Sequence, residues 1–146
     1  MIEFTNIDIF KSSAEALVNP VNCVGAMGKG LALQFKQKYP ETFKAYSDAC
    51  NNGEVKIGSM FIFNENGKII INFPTKKHWS MPSKIEYIVS GLDALISDIK
   101  ELQIKSISIP KLGCGLGGLD WELVRSILIE KLKYVEIPIL IHGEKK

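Results

Sequence analysis

Short apolar runs alternate with amphipathic segments along this chain. Four runs have the length and composition of β-strands, and they cover 2–4 continued by 8–10, 16–18, 104–109 and 137–141. The first run predicts an edge strand that ends near Asp8, and the second, which is wholly apolar, predicts a buried strand. Strands separated by helical segments are typical of an α/β fold.

Four helices are predicted between these strands. Residues 31–38 form a short helix, and Pro40 begins another that ends at 51–53, the sequence Asn-Asn-Gly. Apolar residues between 85 and 99 recur at helical spacing, which predicts a long helix buried along one stripe. Asp120 is placed to cap a fourth helix. Its predicted inward residues are Leu123, Val124, Ile127 and Leu128.

A hairpin interrupts the alternation in the middle of the chain. The apolar runs 59–64 and 68–73 flank Asn66-Gly67, and an Asn-Gly pair is a strong signal for a tight turn between antiparallel strands. We therefore expect residues 1–146 to form a single three-layer α/β/α domain. Its twisted sheet should be mixed and mostly parallel, with ligands bound at the carboxyl ends of the strands.

Two glycine-rich loops each connect a strand to a helix. The first glycine loop (24–30) follows 16–18, and the second glycine loop (113–118) follows 104–109. Glycines leave backbone amides accessible, and the following helix directs its positive end at the loop. One such loop is often only a turn. Two of them on one small domain predict a ligand with two or more phosphates held between them.

Common nucleotide-binding fingerprints do not fit these loops. The second glycine loop matches Gly-x-Gly-x-x-Gly, but only one strand follows it, whereas the Rossmann fingerprint opens a βαβ unit that begins a mononucleotide-binding half. In the first glycine loop, Gly28-Lys29 is followed by Gly30 rather than by the Ser or Thr of a P-loop.

Composition sets broad limits on function. The chain has 146 residues, 46% hydrophobic and 23% charged, with a net charge of +2, which is compatible with an anionic ligand but does not by itself indicate nucleic-acid binding. Cys23, Cys50 and Cys114 lack metal-ligand spacing, so we expect reduced thiols in the cytoplasm and no metal. No signal peptide or membrane span is expected.

Several segments together resemble the macrodomain family. They are Asp8 after the first strand, Asn19-Pro-Val-Asn22, Gly25-Ala-Met-Gly28-Lys-Gly30, and Gly113-Cys-Gly115-Leu-Gly-Gly-Leu-Asp-Trp. The segment Asn-Phe-Pro-Thr-Lys76-Lys77-His78-Trp79 is most similar to the branch that contains the DNA ADP-ribosyl glycohydrolase antitoxins and terminal ADP-ribose protein glycohydrolase. The resemblance implies an α/β/α fold, ADP-ribose as ligand and no cofactor.

The resemblance also implies roles for individual residues. Asp8 would accept a hydrogen bond from the adenine amino group, although an Asp there can also simply cap a turn. Asn22 would contact the distal ribose, and the two glycine loops would surround the diphosphate and the distal ribose. The implied ADP-ribose-binding residues are Asp8, Ile9, Asn22, Val24, Gly25, Met27, Gly28, Gly30, Gly113, Cys114, Gly115, Leu116, Gly117 and Gly118.

Lys76 matches the lysine that this branch uses in catalysis. An uncharged amine could attack the anomeric carbon after the ribose ring opens and form a Schiff base. A charged amine could instead stabilise or protonate the leaving group. The sequence does not choose between these roles.

The protein-directed branch has an acidic residue immediately after Gly-Cys-Gly-Leu, where this chain has Gly117. The resemblance therefore favours ADP-ribosylated thymidine in single-stranded DNA as substrate, with a cognate ADP-ribosyltransferase toxin as a further partner. Lys77, His78 and Trp79 would contact the nucleic acid, although Trp79 could equally pack against the next helix. Two alternatives stay open: a hydrolase of carboxylate-linked ADP-ribose on proteins or of small esters, and a binding module without activity.

Overall fold

The computed structural model describes residues 1–143, so the last three residues of the predicted domain lie outside the described residues. The strands are β1 (Ile2–Thr5), β2 (Ala16–Val21), β3 (Phe61–Glu65), β4 (Lys68–Pro74), β5 (Ile107–Ile109) and β6 (Ile139–His142). The α-helices are α1 (Gly30–Lys38), α2 (Pro40–Asn51), α3 (Ile85–Glu101) and α4 (Trp121–Leu132). None of the helices described is long and apolar enough to cross a membrane.

Within residues 1–143, six strands form one sheet in the order β1-β6-β5-β2-β4-β3. Neighbouring strands are parallel except for the antiparallel pair β3 and β4. Asn66 and Gly67 join that pair with φ angles of 52° and 77°, the left-handed values that a two-residue hairpin needs. The predicted mixed, mostly parallel sheet and its hairpin are thus confirmed.

Helices cover both faces of the sheet because its central strands are apolar on both faces. Val18 packs in one core with Ile88 of α3 and Val124 of α4. Its neighbour in β2, Leu17, packs in a separate core with Phe35 of α1. Successive side chains of a strand point to opposite faces, so α3 and α4 lie on one side and α1 on the other. The predicted three-layer arrangement is confirmed.

Some boundaries differ from the sequence prediction. Residues 8–10 do not continue the first strand, because the Asp8 carboxylate accepts a hydrogen bond from Phe10 N at 3.0 Å and begins a short 3-10 helix, Ile9–Lys11. The predicted strand 104–109 is paired only over Ile107–Ile109. Leu123, predicted to face inward, is 47% exposed, since α4 buries Val124 instead. The predicted cap of α4 is confirmed, with Leu123 N donating to Asp120 at 3.1 Å.

Candidate functional site

The strand order arranges a row of functional segments along one edge of the sheet. Each segment follows the carboxyl end of its strand: the Asp8 turn follows β1, His142 ends β6, the two glycine loops follow β5 and β2, and Lys76 follows β4. All five segments border one cavity of about 1310 Å³. Adjacent strands lie about 4.8 Å apart, so the row spans roughly 19 Å from β1 to β4. A long, narrow ligand with chemically distinct ends fits this row.

The first glycine loop is held in shape by Asn22. Its Oδ1 accepts hydrogen bonds from Val24 N at 3.0 Å and Ala26 N at 3.3 Å, and its Nδ2 donates to Ala26 O at 2.9 Å. Tyr46, which is fully buried, donates its hydroxyl to the carbonyl and side-chain oxygens of Asn22 at 2.8 and 2.9 Å. Burial raises the pKa of Tyr46, so its hydroxyl stays protonated. The side chain of Asn22 is therefore largely committed to the loop.

The first glycine loop ends where α1 begins, and the start of this helix forms part of the cavity wall. Gly30 begins the helix with a φ of 59°, and no side chain caps the helix at Lys29. The first amides of α1 consequently have no partner within the helix and carry the positive end of its dipole. Gly28, Lys29 and Gly30 all line the cavity. This wall is suited to binding an anion such as a phosphate.

The second glycine loop has no room for a side chain at Gly117. A Cβ built there would lie 2.4 Å from Gly113 O and 2.5 Å from Ser83 Oγ. At Gly115, two residues away, a Cβ would meet nothing within 4 Å. Packing thus accounts for the missing acidic residue at position 117. Burial raises the pKa of the neighbouring Cys114 thiol to about 11, which keeps that thiol neutral.

The lysine loop (75–84) is hydrogen-bonded to the second glycine loop and to Cys23, the residue that precedes the first glycine loop. Near its start, Cys23 N donates to Lys77 O at 3.3 Å, and near its end, Ser83 N donates to Gly117 O at 3.0 Å. Lys76 immediately precedes Lys77, lines the cavity half-buried, and donates from Nζ to Trp79 O at 3.2 Å. Two backbone hydrogen bonds thus tie the lysine loop to the segments that carry the glycine loops.

Two exposed residues of the lysine loop, Trp79 and Ser80, also line the cavity, whereas Lys77 and His78 do not. Trp79 is 61% exposed, so most of its side chain is not packed against α3, the alternative that the sequence allows. The His78 ring lies 4.9 Å from the Trp79 ring, and His78 Nδ1 is 2.8 Å from Ser80 Oγ. Lys77 is exposed, with Nζ 5.9 Å from the centre of the Tyr87 ring. An exposed aromatic surface flanked by cations is suited to an unpaired base.

The structure brings most of the predicted binding residues together, but not all of them. Those that line the cavity are Asp8, Ile9, Asn22, Gly28, Gly30, Gly113, Cys114, Gly115, Leu116 and Gly117. Val24, Gly25, Met27 and Gly118 lie outside the lining. Met27 is only 2% exposed. Gly25 lies close to α2, since a Cβ built on it would be 3.5 Å from Ser47 Oγ and 3.6 Å from Cys50 Cβ.

Sequence reasoning missed the residues that line the β6 end of the cavity. Gly143 and Lys111 lie close together there, because a Cβ on Gly143 would be 2.9 Å from Lys111 Cε. The Lys111 Nζ lies 5.1 Å from the centre of the Trp121 ring. His142 is 5% exposed, and burial lowers its pKa. The only local feature that could have indicated a role for His142 is that it is a polar residue at the end of an apolar strand.

Nothing in the site resembles a metal centre. Across residues 1–143, no group of three or more His, Cys, Asp or Glu side chains is arranged to hold a metal ion. The three cysteines are free thiols. The ionisable side chains that line the cavity are those of Asp8, Lys29, Lys76, Lys111, Cys114, Asp120 and His142.

The sequence of the chain is similar to the sequences of proteins of known activity. Over 133 residues the chain is 56% identical to a DNA ADP-ribosyl glycohydrolase of Mycobacterium tuberculosis, a match that covers 88% of this chain and 38% of that protein. The chain thus spans about two fifths of the length of this DNA ADP-ribosyl glycohydrolase and of a similar one from Thermus aquaticus.

Solved structures give the same result. The macrodomain of Mycobacterium tuberculosis DarG superposes with a TM-score of 0.96 at 50% identity, and 99% of each chain is covered. Thermosipho africanus DarTG, solved in complex with ADP-ribose, superposes with a TM-score of 0.91 at 35% identity over 97% of this chain and 41% of that one. The macro domain family model matches residues 18–128, and the chain therefore belongs to the macro domain family.

Proposed function

We propose that the cavity binds ADP-ribose and that the chain removes ADP-ribose from thymidine in single-stranded DNA. The observation that carries this proposal is the order of chemistry along the sheet edge. Hydrogen-bond acceptors lie at the β1 and β6 end, anion-binding loops follow β5 and β2, and a lysine follows β4. ADP-ribose has the matching order of adenosine, diphosphate and distal ribose. Similarity to DNA ADP-ribosyl glycohydrolases supports the choice of reaction.

Adenosine is assigned to the Asp8 end. One carboxylate oxygen of Asp8 accepts from Phe10 N, which leaves the other oxygen for the adenine amino group. Ile9, buried beside it, gives the base an apolar contact. The diphosphate is assigned to the amides of α1 and of the second glycine loop. The distal ribose then reaches Lys76, and Asn22 contributes chiefly by fixing the first glycine loop.

Lys76 is assigned the catalytic role because it lines the cavity just after β4, at the end of the row opposite Asp8, where the distal ribose is assigned. Two roles are chemically distinct. In one, an uncharged Nζ attacks the anomeric carbon of the opened ribose, the bond to the thymine base breaks as the base takes up a proton, and water hydrolyses the resulting Schiff base to release ADP-ribose and the free amine. In the other, a charged Nζ stabilises the departing base and water attacks. Gly117 supports a mechanism that needs no carboxylate at its position.

The features around the cavity mouth support nucleic acid as the rest of the substrate. Trp79 offers a face for stacking, the His78 ring lies beside it, and Lys77 adds a cation to the same loop. The three free thiols support a cytoplasmic location. Similarity to a DNA ADP-ribosyl transferase and glycohydrolase fusion protein of Thermosipho africanus supports a cognate transferase toxin as partner.

Release of ADP-ribose from a thymidine-modified single-stranded oligonucleotide tests the reaction. We expect Lys76→Ala to lower kcat by at least about 100-fold, the usual contribution of a positioned acid, base or nucleophile, with little change in ADP-ribose affinity. Lys56→Ala, at an exposed lysine outside the cavity lining, is the control and should behave as the native chain. Equal rates for the native chain and Lys76→Ala would refute the assignment.

Further variants and substrates separate the alternatives. Lys76→Arg keeps the charge but is a poor nucleophile, so retained activity supports electrostatic catalysis and lost activity supports the Schiff base. Faster release from a glutamate-linked protein than from DNA would replace the DNA assignment. Tight ADP-ribose binding without turnover on either substrate would establish a binding module.

A further inference from the structure

Two lysines outside the cavity come together over one tyrosine of α3. Lys77 Nζ and Lys84 Nζ each lie 5.9 Å from the centre of the Tyr87 ring, so these two nitrogens can be no farther apart than twice that distance. Both lysines are exposed, whereas Tyr87 is half-buried. The face of an aromatic ring attracts ammonium groups, so Tyr87 keeps the two cations near each other. We call these three residues the basic cluster.

The basic cluster has no negative charge of its own. The lysine loop, which supplies both lysines, contains no Asp or Glu. Glu86 lies in the first turn of α3, but side chains two positions apart on a helix do not face each other. Within residues 1–143, no ion pair joins Glu86 to Lys77 or Lys84. Two cations held together without a counter-charge repel each other, and a bound anion would remove that repulsion.

The basic cluster lies outside the cavity but next to residues that form it. Lys77 follows Lys76, which lines the cavity. Lys84 follows Ser83, whose N donates at 3.0 Å to the oxygen of Gly117, another lining residue. No residue of the basic cluster itself lines the cavity. A substrate whose ADP-ribose occupies the cavity would therefore meet the basic cluster only with a part that extends beyond the cavity.

We infer that the basic cluster binds a backbone phosphate of the DNA strand close to the modified thymidine. The inference rests on the proposed function, since it takes ADP-ribosylated single-stranded DNA as the substrate. Every phosphodiester carries the same charge, so this contact positions the strand without reading its sequence. The contact is made equally in the ground state and the transition state, so it should lower KM and leave kcat unchanged.

Two substrates test this with the whole chain. One is the thymidine-modified single-stranded oligonucleotide, and the other is a thymidine nucleoside carrying the same ADP-ribose, which has the diphosphate but no phosphodiester. In Lys84→Gln we expect kcat/KM for the oligonucleotide to fall about three- to fivefold through KM, as for the loss of one exposed ion pair. The slope of log(kcat/KM) against log salt concentration should become shallower by about one. Values for the nucleoside should not change.

Matched variants separate a phosphate contact from other effects. Lys84→Arg keeps the charge and should keep the native salt slope. Lys100→Gln, at the opposite end of α3, removes an equal charge away from the basic cluster and should match the native chain on both substrates. Lys84→Gln removes a positive charge from the positive end of α3, so we expect it to fold.

Each outcome bears on a different claim. An unchanged KM for the oligonucleotide in Lys84→Gln, or an equal loss on both substrates, would overturn the inference and leave the proposed function intact. Loss on the oligonucleotide alone, restored by Lys84→Arg, would support the inference. If the native chain releases ADP-ribose from neither substrate, both proposals fail.

Discussion

The most direct test of the site geometry is to add a single methyl group at Gly117 by the substitution Gly117→Ala. The Cβ of Gly117→Ala would lie 2.4 Å from Gly113 O, about 1 Å inside ordinary contact. That oxygen cannot retreat freely, because it accepts a hydrogen bond from Leu119 N at 2.9 Å. Ser83 closes the other side of the space. The second glycine loop must therefore change its backbone path to accommodate the methyl group.

The size of the effect follows from these two contacts. Overpacking a filled site costs about 1–3 kcal/mol, and losing the Leu119 hydrogen bond adds about 1 kcal/mol. Because the loop is at the surface of the cavity, it can shift while the sheet stays folded. We therefore expect most of the cost to appear as an ADP-ribose affinity about 10- to 100-fold weaker, with a melting temperature lowered by a few degrees at most.

Gly115→Ala provides a matched control in the same loop. The added methyl group meets nothing within 4 Å, and the φ of Gly115 is not in the left-handed region. We expect the melting temperature of Gly115→Ala to stay within about a degree of that of the native chain, since open space within the protein adds no contact cost. Calorimetric titration and thermal unfolding of both variants measure the difference. Native affinity in Gly117→Ala, or equal damage in both variants, would refute the reasoning.

Three further predictions follow from buried groups. Tyr46→Phe leaves two Asn22 oxygens without their hydroxyl donor, so urea unfolding should show a loss of about 1–3 kcal/mol, and a loss below 0.5 kcal/mol would contradict that account. Burial lowers the pKa of His142 below its ordinary 6.5, so the unfolded chain gains its proton first as the pH falls. Native stability should therefore drop relative to His142→Asn from pH 6.5 down to the folded pKa, by up to about 1.4 kcal/mol for each unit of depression, and parallel pH profiles would count against it. Gly91→Ala places a Cβ 2.3 Å from the Phe73 ring and should cost about 1–3 kcal/mol of unfolding free energy, whereas Ser90→Ala on the same helix should be nearly neutral.

Local patterns were sufficient to predict most of the fold. Apolar spacing predicted α3, and the Asn66-Gly67 pair predicted the hairpin, because both signals lie within a few consecutive residues. The same reasoning failed at 8–10, where apolar residues looked like a strand. There the Asp8 carboxylate accepts a hydrogen bond from the backbone N–H of Phe10, and this bond favours a turn over a strand.

Less of the candidate site than of the fold could be predicted from the sequence. Glycine spacing predicted an anion-binding pair of loops, but the roles of Asp8 and Lys76 came from family resemblance. Tyr46 was missed because its partner, Asn22, is 24 residues away along the chain. The contact between Ser83 and Gly117 joins two loops that are distant in sequence, so no local pattern contains it.

The pairing of β1 with β6 also fixes when the binding site becomes complete during synthesis. In the described sheet, β1 is an edge strand whose one neighbour is β6, the strand of that sheet that is translated last. A nascent chain that ends before Ile139 already contains Asp8, both glycine loops and Lys76, but β1 then lacks its partner strand. The Asp8 turn can already be anchored by Ile9, which packs with Leu17 and Phe35, whereas the His142 side of the same wall arrives only with β6. Affinity for the ligand consequently arises late, once the two ends of the domain have met.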